Sequence, residues 1–401
     1  MKVMLVSNMD YSGAGNAAVK ILKMLQNNNL NCELFVNKKK TKFSSKFSLS
    51  KKEQVTELTR EFFYYTTNRL INLSNKSYYK SIGLYRSVYP KKINNSDFDI
   101  VQLHWINGFL SIGDIIKIKK PIVWRFSDFW PSSGIYHYEN NKDIKSNFLL
   151  DNLNTYIKYL KKDLWKKNIT IVTPSDWMRK QIEKSNTFQN YSIEVIQTPI
   201  DDNIFKKIDK LSCKKKHGVS LEKKILLFGA ENINDPRKGF YDLIKVFEEG
   251  FMPNHNFELL TFGFGKLDKN RINNLEIKNL GFVNSKEKLN EIYNCADLMI
   301  VASRMDNLPQ VGLEAQMSGL PLIVYNNSGL SELVENFKTG LIAEDQSISS
   351  LAKQIELFFG NEEFQKNFSV QSIIRAKKKF SENIIFEKYG KIYNKTLEGK
   401  V

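Results

Sequence analysis

The chain has 401 residues, 42% hydrophobic and 26% charged, with a formal net charge of +17. That length allows two or three domains with sizeable cores, and the composition is that of a globular protein. No uninterrupted apolar run reaches the length that a membrane-spanning helix needs.

The first fifteen residues, MKVMLVSNMDYSGAG, carry one lysine, a short apolar run and then polar residues. This reads as a buried first strand and not as a secretion signal. Further short apolar runs follow at 32–37, 99–105, 121–127, 169–175 and 193–199, then at 224–230, 257–263, 278–283, 297–303 and 321–327. Helix-length amphipathic segments lie between them, at 17–26, 176–185 and 241–249 among others. Strands alternating with helices predict parallel sheets covered on both faces. Eleven strands are many for one sheet, and the polar stretch 201–224 separates the two sets. The expected fold class is therefore α/β, with two doubly wound Rossmann-like domains facing a central cleft. Their expected bounds are 1–200 and 201–375, with a helix at 376–401 packing back on the first domain. Ligands in such sheets bind outside the carboxyl ends of strands, which puts the expected site in the cleft.

Three stretches of the first half draw notice. Residues 61–90 interleave Phe62, Phe63, Tyr64, Tyr65, Tyr78, Tyr79, Tyr85 and Tyr89 with lysine and arginine. Residues 156–167, YIKYLKKDLWKK, have the spacing of a basic amphipathic helix. Such surfaces suit an anionic membrane face, and core packing with solvated lysines fits them equally. The DFD at 97–99 is a metal-type spacing, but it opens a strand at the end away from the expected site and reads as structural. Cys32, Cys213 and Cys295 are far apart and lack metal-ligand spacing, so a reduced, cytosolic protein without structural zinc is expected. No zinc finger, RNA-binding aromatic signature or helix-turn-helix accompanies the positive charge, so no nucleic-acid partner is expected.

The second half carries the clearest chemistry. In SRMDNLPQVGLEAQMSGLPLIV (303–324), Pro309 suits the first helical position, Asn307 a cap, and Gly319 with Pro321 the helix end. A helix N-terminus after a strand is an anion site. The amides from Leu308 to Val311 would take a phosphate, Glu314 would hold ribose hydroxyls, and Asp306 would face the group beyond the phosphate. Read alone, the spacing fits a capped helix with a solvated glutamate equally well. Arg237 and Lys238 sit at a turn, with Gly239 behind them, where a diphosphate needs fixed cations. A plain surface turn is as good a reading of that pair alone. Gly263 and Gly265 leave backbone room after a strand, and Gly329 precedes another helix start. All four loops fall at strand carboxyl ends and so share one edge.

These segments together resemble retaining GT-B glycosyltransferases of the family 4 type, especially those that build bacterial surface polysaccharides. LLFGAENINDPRKGF (226–240), which includes Gly229, resembles that group's phosphate loop, and residues 303–324 its E-x7-E segment. Residues 174–181 and 195–205 resemble its domain junction, and 121–139 a first-domain segment reading HDxWP…GxCHY. The resemblance implies that Arg237 and Lys238 neutralise the departing nucleotide diphosphate and that Glu314 binds ribose. It places Asp306 near the transferred sugar. It implies that Gly13 and Gly15 form a glycine loop near the sugar-phosphate region, with His104, Ser127, Asp128 and His137 lining the sugar and acceptor side. No cofactor and no metal are expected.

Three departures from the pattern stand out. Asp306 replaces the usual glutamate, Ser127 stands where relatives carry histidine, and no arginine lies at 230–234 ahead of the Arg237–Lys238 pair. The resemblance implies transfer of a sugar from a nucleotide sugar to a glycan or polyprenyl-linked glycan, in the cytoplasm or on the inner face of the cell membrane. A catalytically silent sugar-nucleotide-binding scaffold and a nucleotide-sugar epimerase are the alternatives.

Overall fold

The two sets of apolar runs form two separate sheets. The computed structural model describes residues 1–73, 79–138, 148–165, 169–185, 187–189, 191–252, 256–267 and 271–399. Contacts divide the chain into a first unit, Met1–Ile196 with Phe386–Val401, and a second, Gln197–Ile385. The sequence boundary at 376 falls inside the helix Glu362–Phe380. Ala376 and Phe380 of that helix sit in the second unit's core.

The first unit contains β1 (Lys2–Met9), β2 (Asn31–Lys38), β3 (Ser44–Ser45), β4 (Ile100–Leu103), β5 (Ile122–Arg125), β6 (Ile169–Thr173) and β7 (Ile193–Val195). They lie in the order β3-β2-β1-β4-β5-β6-β7, and every pair is parallel. The second unit contains β8 (Lys224–Asn232), β9 (Phe257–Phe264), β10 (Arg271–Ile272), β11 (Leu275–Asn279), β12 (Leu298–Val301), β13 (Leu322–Tyr325) and β14 (Gly340–Ala343). Their order is β10-β11-β9-β8-β12-β13-β14. The edge strand β10 is antiparallel to its neighbour, and the other pairs are parallel.

Alternation of side chains explains why both faces are covered. Leu226 and Phe228 of β8 enter one core, and Ile225 and Leu227 enter the core on the opposite face. The same split separates Leu298 and Ile300 from Met299 and Val301 in β12. Each such side chain contributes roughly 1.5–3 kcal/mol by leaving water, so these strands have no solvent face and their sequences show no polar alternation.

Several elements differ from the sequence reading. The run 278–283 is strand only at its start, because β11 ends at Asn279 and Gly281 turns the chain with φ +66°. The strand β14 was not marked by a long apolar run, and the stretch 201–224 contains a short helix, Lys210–His217. The Asp209 side chain caps that helix, and Gly218 ends it with φ +60°. The basic helix spans Phe148–Leu164. Its Lys161 is buried, not displayed. Lys161 Nζ donates to the carbonyls of Trp130, Ser133 and Gly134 and lies 3.8 Å from the Trp130 ring centroid. Burial pushes its pKa well down, but three carbonyl acceptors call for three N–H donors, which only the ammonium supplies. Lys166 and Lys167 lie outside the described residues.

Strand order fixes where ligands can bind. In each sheet the order reverses beside the first strand of that sheet, at β1/β4 in the first unit and at β8/β12 in the second. The crevice at such a switch point is where doubly wound sheets take ligands.

Asp10, at the end of β1, secures the first of these edges. Its carboxylate accepts from the amides of Lys40 and Thr41 and from Thr41 Oγ1 and Ser44 Oγ, all at 2.7–2.8 Å. Burial alone raises the Asp10 pKa, but the bonds from Ser44, Lys40 and Thr41 outweigh it and hold the group below its usual value. The unfolded chain therefore binds this proton at higher pH than the folded one. The stability it contributes is full above the ordinary aspartate range and is lost as pH falls through the depressed folded value. Urea unfolding across pH 2–6 is expected to show a steeper acid loss in wild type than in Asp10→Asn, which starts less stable.

Candidate functional site

The second unit gathers the predicted basic turn and acidic loop at its switch point. After β8 the chain makes one 3₁₀ turn, Pro236–Lys238, capped by the Asp235 side chain. Arg237 is fixed by Asp235 at 2.6 Å, and Lys238 Nζ reaches Asp306 Oδ2 at 2.5 Å. Asp306 lies in the loop after β12, so residues 68 positions apart form one partly exposed ion pair. Gly239 makes this approach feasible. Its φ is +73°, and a Cβ there would lie 1.8 Å from the Ala302 carbonyl oxygen.

The loop from Asp306 to Pro309 is held from behind. Ser328 Oγ accepts from the Asp306 amide at 3.2 Å, and Gly329 N–H donates to the Asp306 carbonyl at 3.1 Å. A Cβ on Gly329 would meet the Asn307 carbonyl oxygen at 1.4 Å, so only glycine fits there. The helix that follows spans Gln310–Met317. Pro309 occupies its cap position, not the first helical one, and no side chain caps it. Asn307 therefore does not act as the cap. Leu308 is buried in the core.

Glu314 lies on the second turn and is 6% exposed, so it is not the solvated helix glutamate that spacing alone allows. Tyr293 Oη donates to Glu314 Oε2 at 3.0 Å. Burial, then the neighbouring Glu314 carboxylate, pushes the Tyr293 hydroxyl well up, so the bond runs from a neutral phenol to the carboxylate. Tyr293 was not singled out from sequence, because it sits on the preceding helix Lys286–Cys295. Arg304 and Asp242 were also missed. They pair at 3.1 Å, and Tyr325 Oη donates to the same aspartate.

The other predicted glycines serve packing. Gly229 lies within β8 with the Phe262 ring across it, so the space it leaves is already filled. Gly263 (φ +131°) and Gly265 (φ +122°) let the end of β9 pass close to the Ala230 carbonyl and the Asn234 side chain. They shape the basic loop from beside it.

The first unit holds the remaining candidates. Gly13 and Gly15 belong to the first turn of the helix Ser12–Asn27, and not to a loop. Ser12, not a glycine, takes the left-handed conformation there, with φ +61°. Gly15 packs over Met9 and Asp10 backbone, and Gly13 faces open space. Asp128 accepts from Trp105 Nε1 at 2.8 Å and from His137 Nδ1 at 2.6 Å. His137 Nε2 in turn meets Ser81 Oγ at 2.7 Å and Asn107 Nδ2 at 3.0 Å. Ser81 is fully buried, so this Ser–His–Asp series orients Asp128 and exposes no nucleophile. His137 positions its neighbours and lines no surface of its own. His104 is buried at the end of β4, and Ser127 follows β5. Asp97 and Asp99 pair with Lys2 at the opposite ends of the strands.

The second unit is a doubly wound α/β domain whose switch point carries two cations, the Asp306 carboxylate paired with one of them, and the start of the helix Gln310–Met317. Residues 209–374 match the family described as Glycosyl transferases group 1. The chain is 25% identical over 210 residues to N-acetyl-alpha-D-glucosaminyl L-malate synthase of Bacillus anthracis, covering 51% of this chain and 54% of that protein. It is 28% identical over 172 residues to the capsular polysaccharide biosynthesis glycosyltransferase CapM of Staphylococcus aureus, covering 41% and 45%. The chain thus spans about half the length of these curated relatives. Its fold is shared with Anabaena Alr3699/HepE, solved in complex with UDP-glucose, at TM-score 0.69 and 13% identity over 98% of this chain and 99% of that one.

Proposed function

We propose that this chain is a retaining glycosyltransferase that moves a sugar from a nucleotide-diphosphate sugar to a glycan or lipid-linked glycan in surface polysaccharide synthesis. The observation that carries the reading is the Lys238–Asp306 pair beside Arg237, at the switch point of a unit matching a glycosyltransferase family. Breaking the anomeric C–O bond builds negative charge on the departing diphosphate and positive charge on the sugar. Preorganised cations and amides stabilise the first. Lys238, Arg237 and the amides of Leu308, Gln310 and Val311 are the groups assigned to it. Asp306 is assigned to the sugar end, where a carboxylate favours an oxocarbenium-like centre. Retention follows from front-face attack, with the leaving phosphate accepting the acceptor's proton. Glu314 takes the ribose hydroxyls.

The cations fill the charge-neutralising role that a metal serves elsewhere. Incubation with a panel of nucleotide sugars tests the reading. At least one donor is expected to release its nucleoside diphosphate, at a rate that EDTA leaves unchanged. Binding without release favours a silent scaffold, and epimer formation an epimerase.

The acceptor side of the proposal includes peripheral attachment to an anionic membrane surface from the cytoplasm. No described helix is long and apolar enough to cross a membrane. The helix Lys51–Asn72 exposes Val55, Leu58, Phe62, Phe63, Tyr65 and Leu70, near Lys51, Lys52 and Arg69. Tyr64 and Tyr89 of the same aromatic stretch are buried, and Tyr78 lies outside the described residues. Co-sedimentation with anionic vesicles, absent with neutral ones and reduced by Leu58→Ser with Phe62→Ser, is the expected result. Equal partition to both vesicle types overturns the attachment.

A further inference from the structure

The helix Glu362–Phe380 of the second unit has one face that its own fold does not use. The inner face is well tied. Phe368, Ala376 and Phe380 enter the unit's two cores. Ser372 Oγ donates to the Thr339 carbonyl at 3.1 Å, and Arg375 Nη1 donates to Gln316 Oε1 at 2.8 Å and to the Leu333 carbonyl at 2.6 Å. The outer face carries Val370 and Ile374, 51% and 54% exposed, one turn apart. Glu363 and Lys377 each lie two turns from Val370, on the same side, and both are exposed. An apolar centre therefore sits between an acidic end and a basic end.

Phe337 stands beside the start of this helix. Its ring centroid is 6.2 Å from that of Phe364, and the residue is 56% exposed. Its φ is +59°, a left-handed conformation that a bulky L residue adopts only at a cost. Its N–H donates to the Gly340 carbonyl at 3.0 Å and closes a tight turn. Glycine would make the same turn without that cost. A large apolar side chain, held in a costly conformation and left mostly in water, gains little in the isolated chain. Such a combination points to a partner surface.

Charge decides which partner. Glu362 and Glu363 open the helix, and Lys377, Lys378 and Lys379 close it, all of them exposed. That order suits the helix dipole, and it also makes the face self-complementary. Two copies laid antiparallel set each acidic end against the other's basic end, whereas a parallel arrangement sets like charges together. We propose that the outer face of the helix Glu362–Phe380, flanked by Phe337, pairs with the same face of a second copy of this chain, antiparallel about a two-fold axis at Val370. Val370 then meets its own copy, Glu363 meets Lys377 of the second copy, and Ile374 meets the aliphatic stem of Lys366 of the second copy. Phe337 covers the flank of the apolar centre. One helix pair is at the small end of protein interfaces, so the dimer dissociates in the micromolar range. No residue of the candidate site takes part, and the pairing is independent of the glycosyltransferase reading.

Sedimentation equilibrium of the full chain, from about 1 to about 300 µM, tests the pairing. A salt concentration of about 0.15 M screens the repulsion between two chains of formal charge +17 beyond about 8 Å. Wild type is expected to show a monomer–dimer equilibrium. Val370→Glu sets two carboxylates face to face on the axis and is expected to leave monomer throughout. Glu363→Lys and Lys377→Glu are each expected to raise the dissociation constant about tenfold, because each change reverses two symmetry-related pairs. The double variant is expected to return it to within twofold of wild type. Phe337→Gly is expected to weaken the dimer about fivefold or more. Its melting temperature, taken where wild type is monomeric, is expected to be no lower than that of wild type. All these side chains are exposed, and far-UV circular dichroism checks that each variant is folded. Monomer at every concentration of wild type overturns the proposal. So does a dimer that survives Val370→Glu, or a double charge swap that fails to recover. Binding to anionic vesicles by a protein that stays monomeric in solution, lost in Val370→Glu, assigns the face to a membrane and also overturns it.

Discussion

Lys238→Met is expected to lower turnover by about 10²–10³-fold, the usual effect of removing one preorganised donor from a developing anion. Lys238 is paired with Asp306, and both side chains are about a quarter exposed or less. Such a pair is worth at most about 1 kcal/mol. A charge-assisted bond to phosphate is worth about 1.5–3 kcal/mol. The diphosphate is therefore expected to win the lysine and to release Asp306 toward the sugar. This ordering has a second consequence. Asp306→Asn frees Lys238 in advance, so nucleoside diphosphate is expected to bind as tightly as in wild type or a few-fold tighter, while turnover falls by a hundredfold or so. Calorimetry and steady-state kinetics on the two variants check this. Equal activity of both with wild type removes the site assignment.

Glu314→Gln is expected to act on binding instead of chemistry. The carboxylate is buried and accepts from Tyr293 at 3.0 Å. Glutamine keeps the shape and one acceptor, but its amide nitrogen cannot accept from a ribose hydroxyl. Loss of one charge-assisted bond of about 1.5–3 kcal/mol corresponds to roughly a 10–100-fold rise in the donor's Kd. Because ribose does not change during transfer, ground and transition states lose this energy equally. KM is therefore expected to rise with kcat nearly unchanged. A matched fall in kcat with KM constant would place Glu314 at the reacting centre and not at the ribose.

The sheets were legible because their strands are buried on both faces. Runs such as KILLFGA have no polar alternation to confuse them. The second unit's basic turn and acidic loop were legible because strand order brings loops far apart in sequence to one edge. The sequence misled where a residue's environment comes from distant elements. Lys161 looks like part of a solvated basic face, yet the loop at 130–134 folds over it and takes all three of its protons. His137 looks like a cleft histidine, yet Ser81, Asn107 and Asp128 occupy both its nitrogens. Gly229 suggests room for a ligand, and Phe262 fills it. Glu314 and Tyr293 come from different helices, so no local spacing announces their bond.

A crystal structure of the chain with a bound nucleoside diphosphate tests the central claim most directly. The expected result has the ribose hydroxyls on Glu314 and the diphosphate on Lys238, Arg237 and the amides opening the helix Gln310–Met317, with the Lys238–Asp306 pair opened. A nucleotide bound elsewhere, or bound here with its phosphates away from Lys238 and Arg237, contradicts it.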